Sequence, residues 1–183
     1  MNLNVDLCQD LAKRWMPGTR QSKKGKPPRE AWRHPEDLVK LIDEWPFPKA
    51  WNHNLRIYLK CLAWLHDIIE DGKKDDGTPV TEQDLIDAGV SLDIVRDVVA
   101  LSCLPGEDKT VYLARLRTAS VAAKMAKCID RICNLREGAE VFKDARWARY
   151  VDETQKYVIP LSLGLCDWLT DQLEAAVRLR PVS

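Results

Sequence analysis

The segment CLAWLHDIIED, residues 61–71, constrains the fold more than any other part of the sequence. If it is a helix at about 100° per residue, its four ionisable residues form one patch roughly 140° wide, and apolar side chains cover the remainder. The four are His66, Asp67, Glu70 and Asp71. A solvated acidic face is the alternative, but the apolar flanks imply a helix inside a core, where ionisable groups are rarely buried without a partner or a metal.

Two further groups of polar residues are candidates for the same site. Asp130 and Asn134 are four residues apart in a second apolar helix pattern, so they share one helix face. His34 precedes Pro35 at the start of a short amphipathic helix. Imidazole and carboxylate groups together offer mixed nitrogen and oxygen ligation to a divalent cation. Additional acids nearby can position or deprotonate a water molecule at that cation. The remaining histidine, His53, is predicted to be a surface or capping residue.

The periodicity of the whole chain predicts an all-α fold. Apolar residues recur at helical spacing, glycine and proline signals separate the segments, and alternating strand patterns are missing. We expect helices near 3–15, 35–44, 48–70, 81–87, 91–103, 108–117, 119–137, 140–158 and 161–179. The predicted architecture is an orthogonal helical bundle that forms one domain over residues 1–183, with ligands from separate helices meeting in its centre.

Composition excludes several classes of protein. The chain has 183 residues, enough to bury about 70% of its unfolded surface in one core. Its 28 basic and 28 acidic residues argue against general nucleic-acid binding. We find no apolar run long enough for a signal peptide or for a membrane span of about 20 residues, so no membrane association and a cytoplasmic location are expected. The six cysteines lack CxxC spacing and are predicted to be reduced thiols in the core.

One segment departs from this even mixture of charge. Between Gly18 and Arg29 there are five basic residues and no acid: Arg20, Lys23, Lys24, Lys26 and Arg29. On composition alone a solvated loop is the better interpretation. Because the segment leads directly to His34, however, it is placed to form a positive rim over a metal site, where cationic donors would suit phosphate groups.

These residues resemble the HD-domain metal phosphohydrolases, and in particular the hydrolase domain of the RelA/SpoT homologues and their small single-domain relatives. The basic segment followed by His34-Pro35 is similar to that family's "GQ-R-K-x-G-x-P-Y … HP" pattern. Residues 63–71 resemble its "ALLHDVVED" helix, residues 124–136 its "KLADRLHNMR", and residues 153–164 its "ET … Y … PLA..LG" stretch. Pro28 stands where the family has a tyrosine, and Gly72 where it has a threonine, and both departures lie in segments close to the expected substrate.

The resemblance implies a small alarmone hydrolase that removes the 3′-pyrophosphate from (p)ppGpp with one Mn²⁺ ion. It implies four metal ligands, namely His34, His66, Asp67 and Asp130. Glu70 and Asp71 would position or deprotonate water. The expected substrate contacts are Arg20, Lys23, Lys24 and Asn134.

Two alternatives remain open from sequence. An HD-domain 5′-deoxynucleotidase or deoxynucleoside triphosphohydrolase would share the four ligands and differ mainly in the basic segment. A non-catalytic module that binds a nucleotide or a partner protein is the alternative of another class, although such a module would not need both Glu70 and Asp71. Assembly into a homo-oligomer is left open as well.

Overall fold

The structure, a computed structural model, describes residues 3–20, 27–47, 51 and 53–180. The described residues form eleven α-helices and one short antiparallel hairpin. The helices are α1 (Val5–Trp15), α2 (Arg33–Glu44), α3 (His53–Leu65), α4 (Ile68–Asp71), α5 (Glu82–Asp87), α6 (Leu92–Leu101), α7 (Lys109–Arg115), α8 (Val121–Val141), α9 (Asp144–Glu153), α10 (Ile159–Ser162) and α11 (Asp167–Val177). A 3-10 turn, Leu116–Thr118, follows α7, and a π-helical segment, Thr154–Val158, follows α9. The predicted all-α bundle is confirmed.

Local capping explains where several helices begin. Asn4 accepts a hydrogen bond from the Leu7 N–H at the start of α1, and Ser120 accepts one from Ala123 N–H at the start of α8. Thr81 opens α5 with a reciprocal capping box, in which its side chain and that of Asp84 each accept from the other residue's backbone N–H. These side chains satisfy backbone donors that have no partner within the first helical turn.

Two central helices position the site. Helix α3 packs against α1, α2, α6 and α8, and α8 packs in turn against α2 and α11. Their inward faces are apolar, and Leu59, Leu62, Ile129 and Ile132 are essentially inaccessible to solvent. Side chains that leave α3 and α8 toward one another therefore reach the middle of the bundle. No helix within the described part of the chain combines the length and the apolar character needed to cross a bilayer.

The predicted helix 48–70 is wrong as one continuous element. Residues 48–50 and 52 lie outside the described residues, and the helix that begins at His53 ends at Leu65. The Ala63 carbonyl accepts a 2.8 Å hydrogen bond from His66 Nδ1. In an uninterrupted helix that carbonyl would accept from the N–H of residue 67, so the imidazole competes with the backbone ladder. The chain turns at residues 66–67 and resumes as α4.

Two other predicted helices are also divided. Residues 140–158 are not one helix, because α8 continues to Val141 and the extended backbone of Phe142 turns the chain before α9. Within 161–179, Gly164 has a φ of +75°, which interrupts the helix between α10 and α11.

The basic segment is not a plain loop at its two ends. Thr19–Arg20 (β1) pairs antiparallel with Arg29–Glu30 (β2), and Arg20 stands directly opposite Arg29. The Ala31 N–H also donates to the Gly18 carbonyl at 3.1 Å. Strand pairing among the described residues comprises this hairpin and a single bridge between Lys73 and Pro79. Two-residue strands are too short to produce the alternating pattern by which strands are predicted.

Candidate metal centre and its cleft

The turn between α3 and α4 carries the first two donors of the candidate metal centre. Asp67 has φ −101° and ψ 1°, a backbone region often occupied by active-site residues. This geometry places its carboxylate Oδ2 3.0 Å from His66 Nε2. The turn therefore directs both side chains of the dyad to one point, which a regular helix would not do.

Helices α2 and α8 bring the other two donors to that point. His34 at the start of α2 is 1% exposed, and its Nε2 is 3.0 Å from Asp130 Oδ1. The same Asp130 oxygen is 3.6 Å from His66 Nε2. One donor atom each from His34, His66 and Asp67 lie within 4.8 Å of one another. The structure thus collects four sequence-predicted residues from three parts of the chain.

The donors fit a divalent metal ion. His66 Nδ1 is committed to the Ala63 carbonyl, which leaves Nε2 as the atom that faces the carboxylates. That Nε2 is buried, and its 3.0 Å contact with Asp67 Oδ2 is an ion-pair contact without the geometry of a hydrogen bond. A buried polar atom without a hydrogen bond is costly, and two imidazoles with two carboxylates are a donor set that suits a divalent transition metal.

The charges around these donors are strongly coupled. Burial works to lower the pKa of His66, but the Asp67 and Asp130 carboxylates outweigh it and raise that pKa to about 9. The Nε2 side of the ring, which faces these carboxylates, is also the side on which a cation would bind. Burial by contrast dominates at His34 and lowers its pKa.

Lys127 is a charged neighbour that the sequence analysis did not single out. Its Nζ is 3.0 Å from Asp130 Oδ2, and its side chain is only 13% exposed. Burial opposes the charge on Lys127, yet Asp130 keeps the pKa of Lys127 well above its usual value. Burial likewise opposes the charge on Asp130, whose pKa is held well below its usual range by Lys127 and His34. Asp130 Oδ1 thus faces the two histidines, and the ammonium group of Lys127 contacts Oδ2.

The two predicted acids, Glu70 and Asp71, lie beside the donors on α4. Both line the same cleft as Asp67 and Asp130. Burial raises the pKa of each, and the Asp67 charge raises it further. The Glu70 Oε1 accepts a 2.6 Å hydrogen bond from the Cys103 N–H, which fixes the side chain. The structure therefore places two carboxylates of raised pKa next to the metal donors.

A cleft of about 630 Å³ opens over this centre. Five of its lining residues are cationic: Arg20, Lys109, Lys127, Arg131 and Arg146. Its apolar lining is contributed mainly by Met16, Pro17, Ala31 and Phe142. A volume of this size accommodates a nucleotide-sized ligand, and the cations suit one with negative charge.

Of the predicted substrate contacts, Arg20 and Asn134 both reach the cleft. Arg20 Nη2 donates to Asn134 Oδ1, and Asn134 Nδ2 donates to Asp130 Oδ1. These bonds connect the hairpin to the metal donors through one amide. Lys23 and Lys24 lie outside the described residues.

The cationic side of the cleft formed by α7, α8 and α9 was missed by sequence reasoning. Lys109 Nζ is 2.7 Å from Glu153 Oε2, and the Arg131 guanidinium is 3.6 Å from the same oxygen. Arg131 stacks at 3.9 Å on the Tyr150 ring, and Arg146 at 3.9 Å on Phe142. The only local signal was the i, i+4 spacing of Arg146 and Tyr150, which puts them on one helix face.

Among known proteins, a solved structure with the same fold supports the predicted architecture. No protein-family model matches the sequence, and no curated protein sequence matches it. A solved structure of a metazoan orthologue of SpoT, described as hydrolysing ppGpp and playing a role in starvation responses, superimposes with a TM-score of 0.74 at 18% identity. The match covers 100% of this chain and 98% of that one. The predicted fold class, an all-α bundle like that of this solved structure, is therefore confirmed.

Proposed function

We propose that this protein is a metal-dependent phosphohydrolase that removes the 3′-pyrophosphate from guanosine tetra- or pentaphosphate. The observation that carries the proposal is the convergence of His34, His66, Asp67 and Asp130 on one point at the base of a cation-lined cleft. The likeness to a ppGpp-hydrolysing SpoT orthologue supports the same substrate class.

The donor set supports Mn²⁺ as the ion. His34, His66, Asp67 and Asp130 would hold it through two nitrogens and two oxygens, and imidazole ligands favour a transition metal over Mg²⁺, which prefers an oxygen shell. When bound, the ion would acidify water and neutralise negative charge on a phosphate oxygen.

The two acids on α4, Glu70 and Asp71, would accept the proton of the attacking water. A carboxylate of raised pKa is a better proton acceptor than an ordinary one, and burial raises the pKa of both Glu70 and Asp71. The Cys103 N–H orients Glu70. Attack by water at the phosphorus bonded to the 3′ oxygen breaks that P–O bond, and the products are pyrophosphate and GDP or GTP.

The cations would bind the phosphate groups. Arg20 lies next to Asn134, so these two side chains are placed for the part of the nucleotide closest to the metal. Lys109 on α7 and Arg146 on α9 line the same cleft. A ligand with phosphates at both the 3′ and 5′ positions would engage both groups of cations, whereas a nucleoside monophosphate would engage one.

A nucleotide panel tests the proposal directly. Purified protein with Mn²⁺ is incubated with ppGpp, dATP, dGTP and a nucleoside 5′-monophosphate, and the products are separated by anion-exchange chromatography. We expect pyrophosphate from ppGpp. Triphosphate from dATP or dGTP would instead indicate a triphosphohydrolase, orthophosphate from the monophosphate a nucleotidase, and no product a binding module.

A further inference from the structure

The two strands of the hairpin place like charges directly opposite one another. Arg20 of β1 is the register partner of Arg29 of β2, so both side chains are on the same face. Directly opposed like charges destabilise a strand pair, and a hairpin with such short strands supplies little stability of its own. The hairpin therefore depends on a counter-charge from another part of the fold.

Glu137 on α8 provides that counter-charge to both arginines. Its Oε2 is 3.3 Å from Arg20 Nε, and its Oε1 is 3.4 Å from Arg29 Nη2. The Glu137 side chain is 12% exposed, so water screens these ion pairs less than it screens pairs on the open surface. One carboxylate thus joins both strands to the helix that carries Asp130.

The two arginines differ in their other partners. Arg29 also donates to Asp37 on α2, so β2 has a second connection to the bundle. Arg20 donates to Asn134, which is one helical turn before Glu137. Both of these partners of Arg20, Asn134 and Glu137, lie on α8, so α8 holds the Arg20 guanidinium at the cleft.

We propose that Glu137 is a positioning residue that closes the hairpin at the Arg20–Arg29 pair and holds the Arg20 guanidinium at the cleft. It acts through the arginines and makes no contact with the metal donors in the geometry above. Its role in catalysis rests on the proposed function, but its role in the hairpin does not.

Hydrogen–deuterium exchange of the full-length protein tests the hairpin role without any substrate. Glu137→Gln keeps the shape of the side chain and removes its charge. We expect the hairpin amides, including the Ala31 N–H, to exchange roughly three- to thirtyfold faster, as the loss of two partly buried ion pairs implies. Exchange in α3 should stay at the wild-type rate, which shows that the variant is folded.

The matched control is Glu174→Gln on α11, which removes an exposed ion pair with Arg178, the residue that follows this helix. Hairpin exchange in this control should equal that of the wild type. Wild-type hairpin exchange in Glu137→Gln would overturn the proposal.

A double-mutant cycle tests the contact itself. Glu137→Gln and Arg29→Gln remove the two partners of one ion pair. The factor by which hairpin exchange accelerates in the double variant should therefore be smaller than the product of the factors for the two single variants. A factor equal to that product would mean that the two residues act independently, which contradicts the proposal.

Steady-state kinetics on ppGpp with Mn²⁺ then tests the effect on substrate. If Arg20 is misplaced, KM should rise about three- to thirtyfold while kcat and metal content stay near wild type, because such a contact helps ground state and transition state alike. An unchanged KM with a lowered kcat would overturn the placement of Arg20 by Glu137. Absence of turnover in the wild type would refute the proposed function and leave the exchange result standing.

Discussion

The backbone N–H of Cys103 donates a 2.6 Å hydrogen bond to Glu70 Oε1, and this bond connects the loop after α6 to the short helix α4. Burial raises the pKa of Glu70, whereas the Cys103 N–H works in the opposite direction. The bond also restricts the orientation of the Glu70 side chain in the cleft. The loop after α6 therefore sets the position of Glu70 beside the candidate metal centre, and it supplies none of the four proposed donors.

A partly buried ion pair between Arg115 and Glu107 stabilises the conformation of this loop. Arg115 Nε is 2.9 Å from Glu107 Oε1, and Arg115 Nη2 donates to the Ser102 carbonyl at 2.9 Å. Glu107 Oε2 accepts from the Leu104 N–H at 3.1 Å. Arg115 and Glu107 thus fix the backbone on both sides of Cys103, which determines where its N–H points.

Replacing Glu70 with glutamine separates chemistry from binding. Glutamine keeps an oxygen for the Cys103 N–H but cannot accept the proton of water. We expect kcat on ppGpp to fall on the order of 10²-fold or more, with KM and metal content near wild type. Metal analysis and steady-state kinetics of the same preparation measure both effects. Turnover of Glu70→Gln at the wild-type rate would show that Glu70 is not the proton acceptor.

Loosening the loop should affect the reaction through Glu70. Arg115→Lys keeps the charge but loses the planar fork that binds Glu107 and the Ser102 carbonyl together. We expect kcat to fall by up to about 10²-fold, because small displacements of a catalytic group are costly, and metal content to be unchanged. Arg117→Lys, at an exposed position on the 3-10 turn, is the control and should behave as wild type. Equal kinetics for the two variants would mean that the loop does not set the position of Glu70.

The three histidines offer an internal test of the metal centre. His34→Ala and His66→Ala each remove a donor and should bring bound Mn²⁺ from about one ion per chain to a small fraction of that value. His53 is exposed at the start of α3, as predicted, so His53→Ala should bind metal normally. Elemental analysis after gel filtration gives the stoichiometry, and chelation followed by Mn²⁺ should remove and restore activity. Full occupancy in His66→Ala would contradict the assignment of the ligands.

The sequence was most informative where residues are close along the chain. The i, i+4 pair Asp130 and Asn134 shares a face of α8 as predicted, because a long apolar helix fixes the direction of its side chains. The convergence of His34 on that face was implied by the resemblance to the HD-domain phosphohydrolases. The dyad of His66 and Asp67 was found for a partly incorrect reason, since a turn and not a continuous helix directs it toward the other donors.

What the sequence could not give depends on contacts between distant residues. Arg20 and Glu137 are far apart in sequence, and only the packing of the hairpin on α8 makes them partners. Lys109 and Arg131 become part of one cleft because both reach Glu153. The pattern of charges along each helix contains no information about such pairs, since the same charges would suit a solvated helix face equally well.

Lys127 provides the last prediction, because it is the cation that neutralises Asp130 in the absence of a metal. Lys127→Met keeps most of the length of the side chain and removes its charge, which leaves the buried Asp130 less well compensated. The metal-free variant should lose up to about 3–5 kcal/mol of unfolding free energy, the cost of removing one partner from a buried ion pair.

A divalent ion bound beside Asp130 can replace the positive charge of Lys127, and in the variant the ion would no longer be repelled by the ammonium group. Since a ligand stabilises the folded state in proportion to the logarithm of its concentration over Kd, saturating Mn²⁺ should raise Tm by more in Lys127→Met than in the wild type. Lys124→Met, one turn earlier on α8, is the matched control and should show the wild-type rise. Calorimetry with and without Mn²⁺ measures both quantities. A smaller rise in Lys127→Met than in the wild type would mean that Lys127 mainly holds Asp130 in position as a ligand, and an identical rise would mean that its charge does not reach the metal centre.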